Sequence, residues 1–133
     1  MKIHRDPTTI DLLGIDSTSL DTDALRASPN CVALLSPAGR ILTASAMAIA
    51  VLQLDDQTQL LGRHWCKIWP SWTHDALGEA LDRALAGKIT TFWANYPDAD
   101  GVLVDWDVRV SPVMDASGNV SSVLAVSRPV TKH

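Results

Sequence analysis

The sequence has few of the residues on which catalytic and metal-binding proteins usually depend. Its 133 residues include two cysteines and four histidines, and none of these histidines pairs with a cysteine at zinc-ligand spacing. No spacing indicates a Ser-His-acid or Cys-His arrangement, and no glycine-rich phosphate loop is present. These absences favour a protein that is not an enzyme and has no metal site.

Positive charge and long apolar runs are also missing. The formal net charge is -4 and no Lys/Arg cluster occurs, which argues against binding to nucleic acid or to an anionic membrane surface. No apolar run approaches the ~20 residues needed to cross a bilayer. Residues 1–7 lack the apolar segment of a secretory signal, so we expect a cytoplasmic protein in which Cys31 and Cys66 stay reduced.

What the chain does contain is enough apolar sequence for one domain, with 47% hydrophobic residues. Hydrophobic periodicity and turn residues predict two strands, short helices, one long helix and three further strands. The predicted strands are residues 31–36, 40–43, 88–96, 102–112 and 120–128. The predicted helices are residues 20–27, 46–54 and a longer one that ends at Gly87.

Capping residues set the predicted helix bounds. Ser19 is expected to cap the first helix and Ser45 the second, while Thr73 or Ser71 begins the long one. Within the long helix, Glu79 and Arg83 have the spacing of an ion pair.

Residues in the strand 102–112 alternate between apolar and charged. This period of two predicts that one face of the sheet is buried and that the other is wet or covered by a partner. The inward residues are Val104, Trp106, Val108 and Val110, and the outward ones are Asp105, Asp107 and Arg109.

Several motifs in fixed order resemble those of PAS domains, over about Leu25 to Thr131. They are Ser28-Pro29, Ser36-Pro-Ala-Gly-Arg-Ile41, Leu61-Gly62-Arg63 with Trp65, Ala84-Leu85-Ala86-Gly87, Asp100-Gly101 with Trp106, Ser111-Pro112-Val113 and Gly118-Asn119-Val120. The resemblance implies an α+β fold: a five-stranded antiparallel sheet with short helices and one longer helix on one face. We expect an N-terminal helical extension over residues 1–27 and the PAS domain over residues 28–131.

The resemblance also implies a function. A PAS domain of this kind is a signal-sensing module that binds a small ligand or a partner and acts through a homodimer interface. We expect the input domain of a bacterial-type signalling protein, such as a histidine kinase or a regulator. The alternatives are a ligand-free dimerisation module, its pocket filled by Met47, Trp65 and Trp106, and a small isomerase-type enzyme with an Asp base.

Two groups of candidate site residues follow from the resemblance. The expected ligand pocket comprises Met47, Trp65, Trp69, Trp93, Asn95, Trp106 and Val108. The expected dimer interface comprises Ile10, Leu12, Leu13, Leu20 and Leu25.

Cofactor-binding positions of known PAS domains are matched poorly. In haem-binding members a His on the long helix ligates the iron, but His74 lies at the very start of that helix. In blue-light members a reactive Cys follows the loop glycine by three residues, whereas Cys66 comes one residue later, a turn of about 100° in helical geometry. The sequence therefore leaves the cofactor open. Two further departures are Ser45, where an Asn is common, and Pro129, where the family often has an acidic residue.

Overall fold

A single sheet dominates the computed structural model, which describes residues 15–16 and 21–130. Five strands run antiparallel in the order β4-β5-β6-β2-β3, and a two-residue parallel strand, β1, extends the edge of β5 beyond β4. The strands are β1 Ile15–Asp16, β2 Cys31–Leu35, β3 Ile41–Ala44, β4 Thr90–Pro97, β5 Leu103–Met114 and β6 Val120–Pro129.

The helices divide between the two faces of the sheet. Helices α2 and α3 contribute to the main core on the inner face, whereas α1 packs through Leu25 against the outer face. This arrangement confirms the predicted five-stranded α+β fold. The helices are α1 Thr22–Arg26, α2 Ala46–Val51 and α3 His74–Leu85, and short 3-10 turns span Gln57–Gln59, Trp65–Ile68 and Ser71–Thr73.

Strand β5 shows why the sheet has two different faces. Trp106, Val108 and Val110 are buried on the inner face, while Asp107 and Arg109 between them are only partly covered. The predicted alternation is confirmed. The predicted ion pair on α3 also forms, with 2.8 Å between Arg83 Nη2 and Glu79 Oε1.

Three helix ends differ from the sequence prediction. Helix α1 is capped by Asp21, whose carboxylate accepts from the backbone N–H groups of Asp23 and Ala24, rather than by Ser19. Helix α2 ends at Val51 instead of residue 54, because Gln53 adopts a left-handed φ of 58°. The Thr73 hydroxyl donates to Pro70 O at 2.7 Å and makes no capping bond to α3.

Ser45 joins β2 to α2. Its fully buried hydroxyl donates to Asn30 O at 2.8 Å and accepts from Val32 N at 2.9 Å. The same oxygen accepts from Ala48 N at 3.3 Å, which confirms the predicted N-cap of α2. One side chain therefore fixes both the position and the start of α2.

Replacing Ser45 with alanine removes this junction. We expect Ser45→Ala to lower the free energy of unfolding by about 1–3 kcal/mol, because two buried backbone groups lose their partner together with the helix cap. Urea denaturation measures the change. The exposed Ser117→Ala serves as control and should change stability by less than about 0.5 kcal/mol. Equal stabilities of the two variants would contradict the role of Ser45.

Candidate ligand-binding site

An apolar cavity of about 60 Å³ lies between the inner face of the sheet, α2 and the 3-10 turn Trp65–Ile68. Small side chains make the room for it. Four alanines line the cavity where larger residues would fill it: Ala33, Ala44, Ala48 and Ala125. An apolar cavity of this kind can stay dry and accept apolar groups.

Aromatic rings form one wall of the cavity. The ring centroids of Trp65 and Trp69 lie 6.4 Å apart with planes at 76°, and those of Trp69 and Tyr96 lie 5.7 Å apart at 89°. Edge-to-face contacts of this type favour one arrangement of the rings over others. The wall therefore has a defined shape.

The loop before Trp65 is held on the β2–β3 hairpin by backbone hydrogen bonds. Trp65 N donates to Gly39 O at 2.9 Å, and His64 Nδ1 accepts from Cys66 N at 3.2 Å as the cap of the 3-10 turn. Gly39 has a φ of 81°, and a Cβ there would lie 2.8 Å from His64 Nε2. Only glycine lets the loop come this close, so Gly39 helps to place Trp65.

One polar group in the wall lacks a partner. Trp106 is 7% exposed, and its indole N–H is buried without a hydrogen-bond acceptor among the described residues. None of the described residues that line the cavity carries a formal charge. A buried N–H without an acceptor costs free energy.

Of the expected pocket residues, the structure brings three tryptophans together. Trp65, Trp69 and Trp106 line the cavity. Val108 is fully buried on the inner face and belongs to the core without lining the cavity.

The other three expected pocket residues lie elsewhere. Met47 is 41% exposed on α2, and Trp93 is 69% exposed on the outer face of β4. Asn95 shares that outer face and accepts from Trp72 Nε1 at 2.6 Å. The two β4 residues were assigned to the wrong face, because Phe92, Ala94 and Tyr96 are the ones that join the core on the inner face.

Several lining residues were missed by the sequence analysis. Tyr96, Cys31 and Ser127 all border the cavity, at strand positions that point to the inner face. The period of two along β4 was the available signal for Tyr96. For the alanines, small size at inward positions was a further signal that room remains.

Neither of the two candidate cofactor ligands, His74 and Cys66, is placed to contact a cofactor in the cavity. A ring nitrogen of His74 lies 2.8 Å from Trp69 O, and Cys66 is buried in the core; neither lines the cavity. Neither residue is therefore placed to ligate haem or to react with flavin in the cavity. Among residues 15–16 and 21–130, no group of three His, Cys, Asp or Glu is placed to hold a metal ion.

The expected dimer interface falls mostly outside the described residues. Ile10, Leu12, Leu13 and Leu20 lie there. Leu25 is 6% exposed and packs within its own chain, in a cluster on the outer face of the sheet. No helix of the described residues is long and apolar enough to cross a membrane.

Burial in the cavity wall changes the chemistry of Cys31. Desolvation raises the pKa of its thiol to about 11, since the thiolate loses hydration there. The folded protein therefore holds the proton over a pH range in which an unfolded cysteine has lost it.

Alkylation measures this shift. In a Cys66→Ala variant, the rate of Cys31 alkylation by iodoacetamide should keep rising between pH 9 and about 11, while the rate for glutathione levels off earlier. The stability contributed by the protonated thiol is complete below pH 9 and is lost as the pH rises through about 11. Circular dichroism confirms that the fold persists over the range measured. If the alkylation rate of Cys31 stopped rising at the same pH as that of glutathione, Cys31 would not be desolvated.

Comparison with known proteins agrees with the fold. A family model described as PAS fold matches residues 25–133, whereas a search of curated proteins finds no match. The PAS domain of Bordetella pertussis BvgS is similar at a TM-score of 0.70 and 14% identity, with 84% of each chain covered.

Two more solved structures are similar. The PAS domain of an HTR-like protein from Haloarcula marismortui has a TM-score of 0.61 and 20% identity, covering 80% of this chain and 86% of that one. A light-oxygen-voltage domain studied with a flavin analogue has a TM-score of 0.64 and 21% identity, covering 83% and 84%. PAS domains are in general sensory and regulatory modules. The chain belongs to the PAS fold family.

Proposed function

We propose that this PAS domain is a sensor whose signal is a small molecule bound in the apolar cavity. One observation carries the proposal: an aromatic wall and four alanines enclose apolar space inside the domain. A packed core would normally fill such space, since interiors are about as dense as organic crystals. A ligand with an apolar body would fill it.

The position of Met47 favours this function over a ligand-free module. In the ligand-free alternative, Met47, Trp65 and Trp106 fill the pocket with their own side chains. Met47 instead lies 41% exposed on α2, and the cavity remains beside the two tryptophans.

An isomerase-type function has little support. No carboxylate among the described residues lines the cavity. Asp105 and Asp107 lie on the outer face of β5, and Asp107 Oδ2 is 3.4 Å from Nη2 of Arg128 on the neighbouring strand. A base in this position cannot reach a molecule bound on the opposite face.

The register of the sheet supports a route for the signal. Trp106 in the cavity wall lies opposite Pro129, the last residue of β6. Ligand contact with the Trp106 ring would therefore bear on the strand end that leads out of the domain. We propose that this domain is the input domain of a cytoplasmic signalling protein that functions as a homodimer. The end of β6 would transmit the signal to the rest of that protein.

Filling the cavity tests the binding of a ligand. Ala48→Leu adds three carbons inside the cavity, while Ala50→Leu makes the same change on the exposed side of the same helix. We expect native mass spectrometry of protein purified from its source cells to show a bound small molecule for wild type and Ala50→Leu, and its loss in Ala48→Leu. A wild-type native mass equal to the denatured mass would contradict the sensor proposal.

The dimer is tested separately by sedimentation velocity. We expect wild type to sediment as a dimer and the double variant Leu12→Glu/Leu13→Glu as a monomer, because buried carboxylates without partners are costly. Leu103→Glu, at an exposed position at the start of β5, is the control and should leave the dimer intact. A wild-type monomer at high concentration would remove the interface proposed for the N-terminal segment.

A further inference from the structure

A second recess opens beside the cavity, and we call it the vestibule. It has a volume of about 130 Å³ and is lined by Leu52, Leu54, Leu60, Arg63, Lys67, Ile68 and Tyr96. Four of these residues, Leu52, Leu60, Ile68 and Tyr96, also line the cavity. The two spaces are therefore neighbours that share walls.

The vestibule contains two cations and no anion. Arg63 and Lys67 are its charged residues, and no carboxylate of the described residues lines it. Asp55 and Asp56 follow Leu54 in the chain but are exposed and are not part of the lining. Among the described residues, neither Arg63 nor Lys67 forms an ion pair.

Tyr96 links the charge of the vestibule to the cavity. Burial raises the pKa of the Tyr96 hydroxyl, and the nearby Arg63 guanidinium partly offsets this effect by lowering it. The positive charge of Arg63 therefore acts at a residue that lines both spaces.

The cavity is uncharged and the vestibule is cationic, and this difference indicates which class of ligand would fit both. A charged group in the cavity would lose its hydration without a partner, which is unfavourable by several kcal/mol. In the vestibule the same group keeps part of its hydration and meets two cations, where charge-assisted hydrogen bonds form. An apolar body on the other end of the molecule fits the cavity.

We propose that the ligand is a small monocarboxylate, with its apolar ring or branched alkyl body in the cavity and its carboxylate between Arg63 and Lys67. This inference rests on the proposed sensing function and specifies the ligand class. The volume of the cavity limits the body to a small apolar group.

Three probes of the same shape and different charge test the inference. Phenylacetate, phenylacetamide and phenethylammonium are titrated into the full chain, with binding followed by calorimetry and by protein NMR. We expect phenylacetate to bind about 10-fold more tightly than the amide and the ammonium compound to bind most weakly. The advantage of phenylacetate should shrink at high salt, because ions screen an exposed charge pair.

Variants locate the effect. In the double variant Arg63→Gln/Lys67→Gln, phenylacetate should fall to the affinity of the amide, while the amide itself is unchanged. The matched control Arg26→Gln/Lys88→Gln makes the same change in net charge at exposed positions outside the vestibule and should bind like wild type. Ala48→Leu should abolish binding of both compounds, which places the body in the cavity.

The outcomes separate the two proposals. Equal affinity of wild type for phenylacetate and the amide, lost in Ala48→Leu, would overturn the monocarboxylate class and leave cavity binding standing. Unchanged phenylacetate affinity in Arg63→Gln/Lys67→Gln would also overturn it. Binding of none of the three probes would overturn it too, while the sensor proposal keeps its own test in the native mass.

Discussion

The hydroxyl of Ser45 is the interaction on which the cavity depends. It holds the residues before and within β2 while it caps α2, so the helix that covers the cavity is fixed to the strand that forms its floor. Because the hydroxyl is fully buried, water cannot replace any of these bonds. Ala48 and Val51 project from this one short helix onto the cavity, and their distance from the sheet follows from where Ser45 starts it.

The cavity persists because its walls resist collapse from both sides. The sheet cannot move inward without breaking its strand pairing, and the rings of Trp65, Trp69 and Tyr96 are already in mutual contact. Empty space in a core lowers stability, since the lining atoms lose dispersion contacts. A ligand that restores these contacts would stabilise the folded state by mass action, which couples binding to the packing of the whole inner face.

Sequence patterns predicted the sheet better than they predicted the site. The alternation along β5 predicts which of its residues face inward, so Trp106 was placed on the correct face. Trp93 and Asn95 were placed on the wrong face, because they were assigned to the pocket by their aromatic or polar type and not by the period of two along β4. Cys31 and Ser127 meet the cavity only through the pairing of β2 with β6, a contact between residues 96 positions apart that no local pattern contains. Helix α1 takes its cap from Asp21, two residues after the predicted Ser19, so the local pattern left the position of the cap open.

The uneven placement of the tryptophans has a practical consequence for spectroscopy. Trp65, Trp69 and Trp106 line the cavity, while Trp72 and Trp93 are largely exposed to water. Indole emission shifts to the blue when water is excluded, so the emission spectrum of this chain contains two populations. Only the blue-shifted population lies within contact range of a bound molecule, and an external quencher such as iodide reaches mainly the other. Selective quenching of Trp72 and Trp93 would therefore leave a fluorescence signal that comes from the cavity wall, without any label attached to the protein.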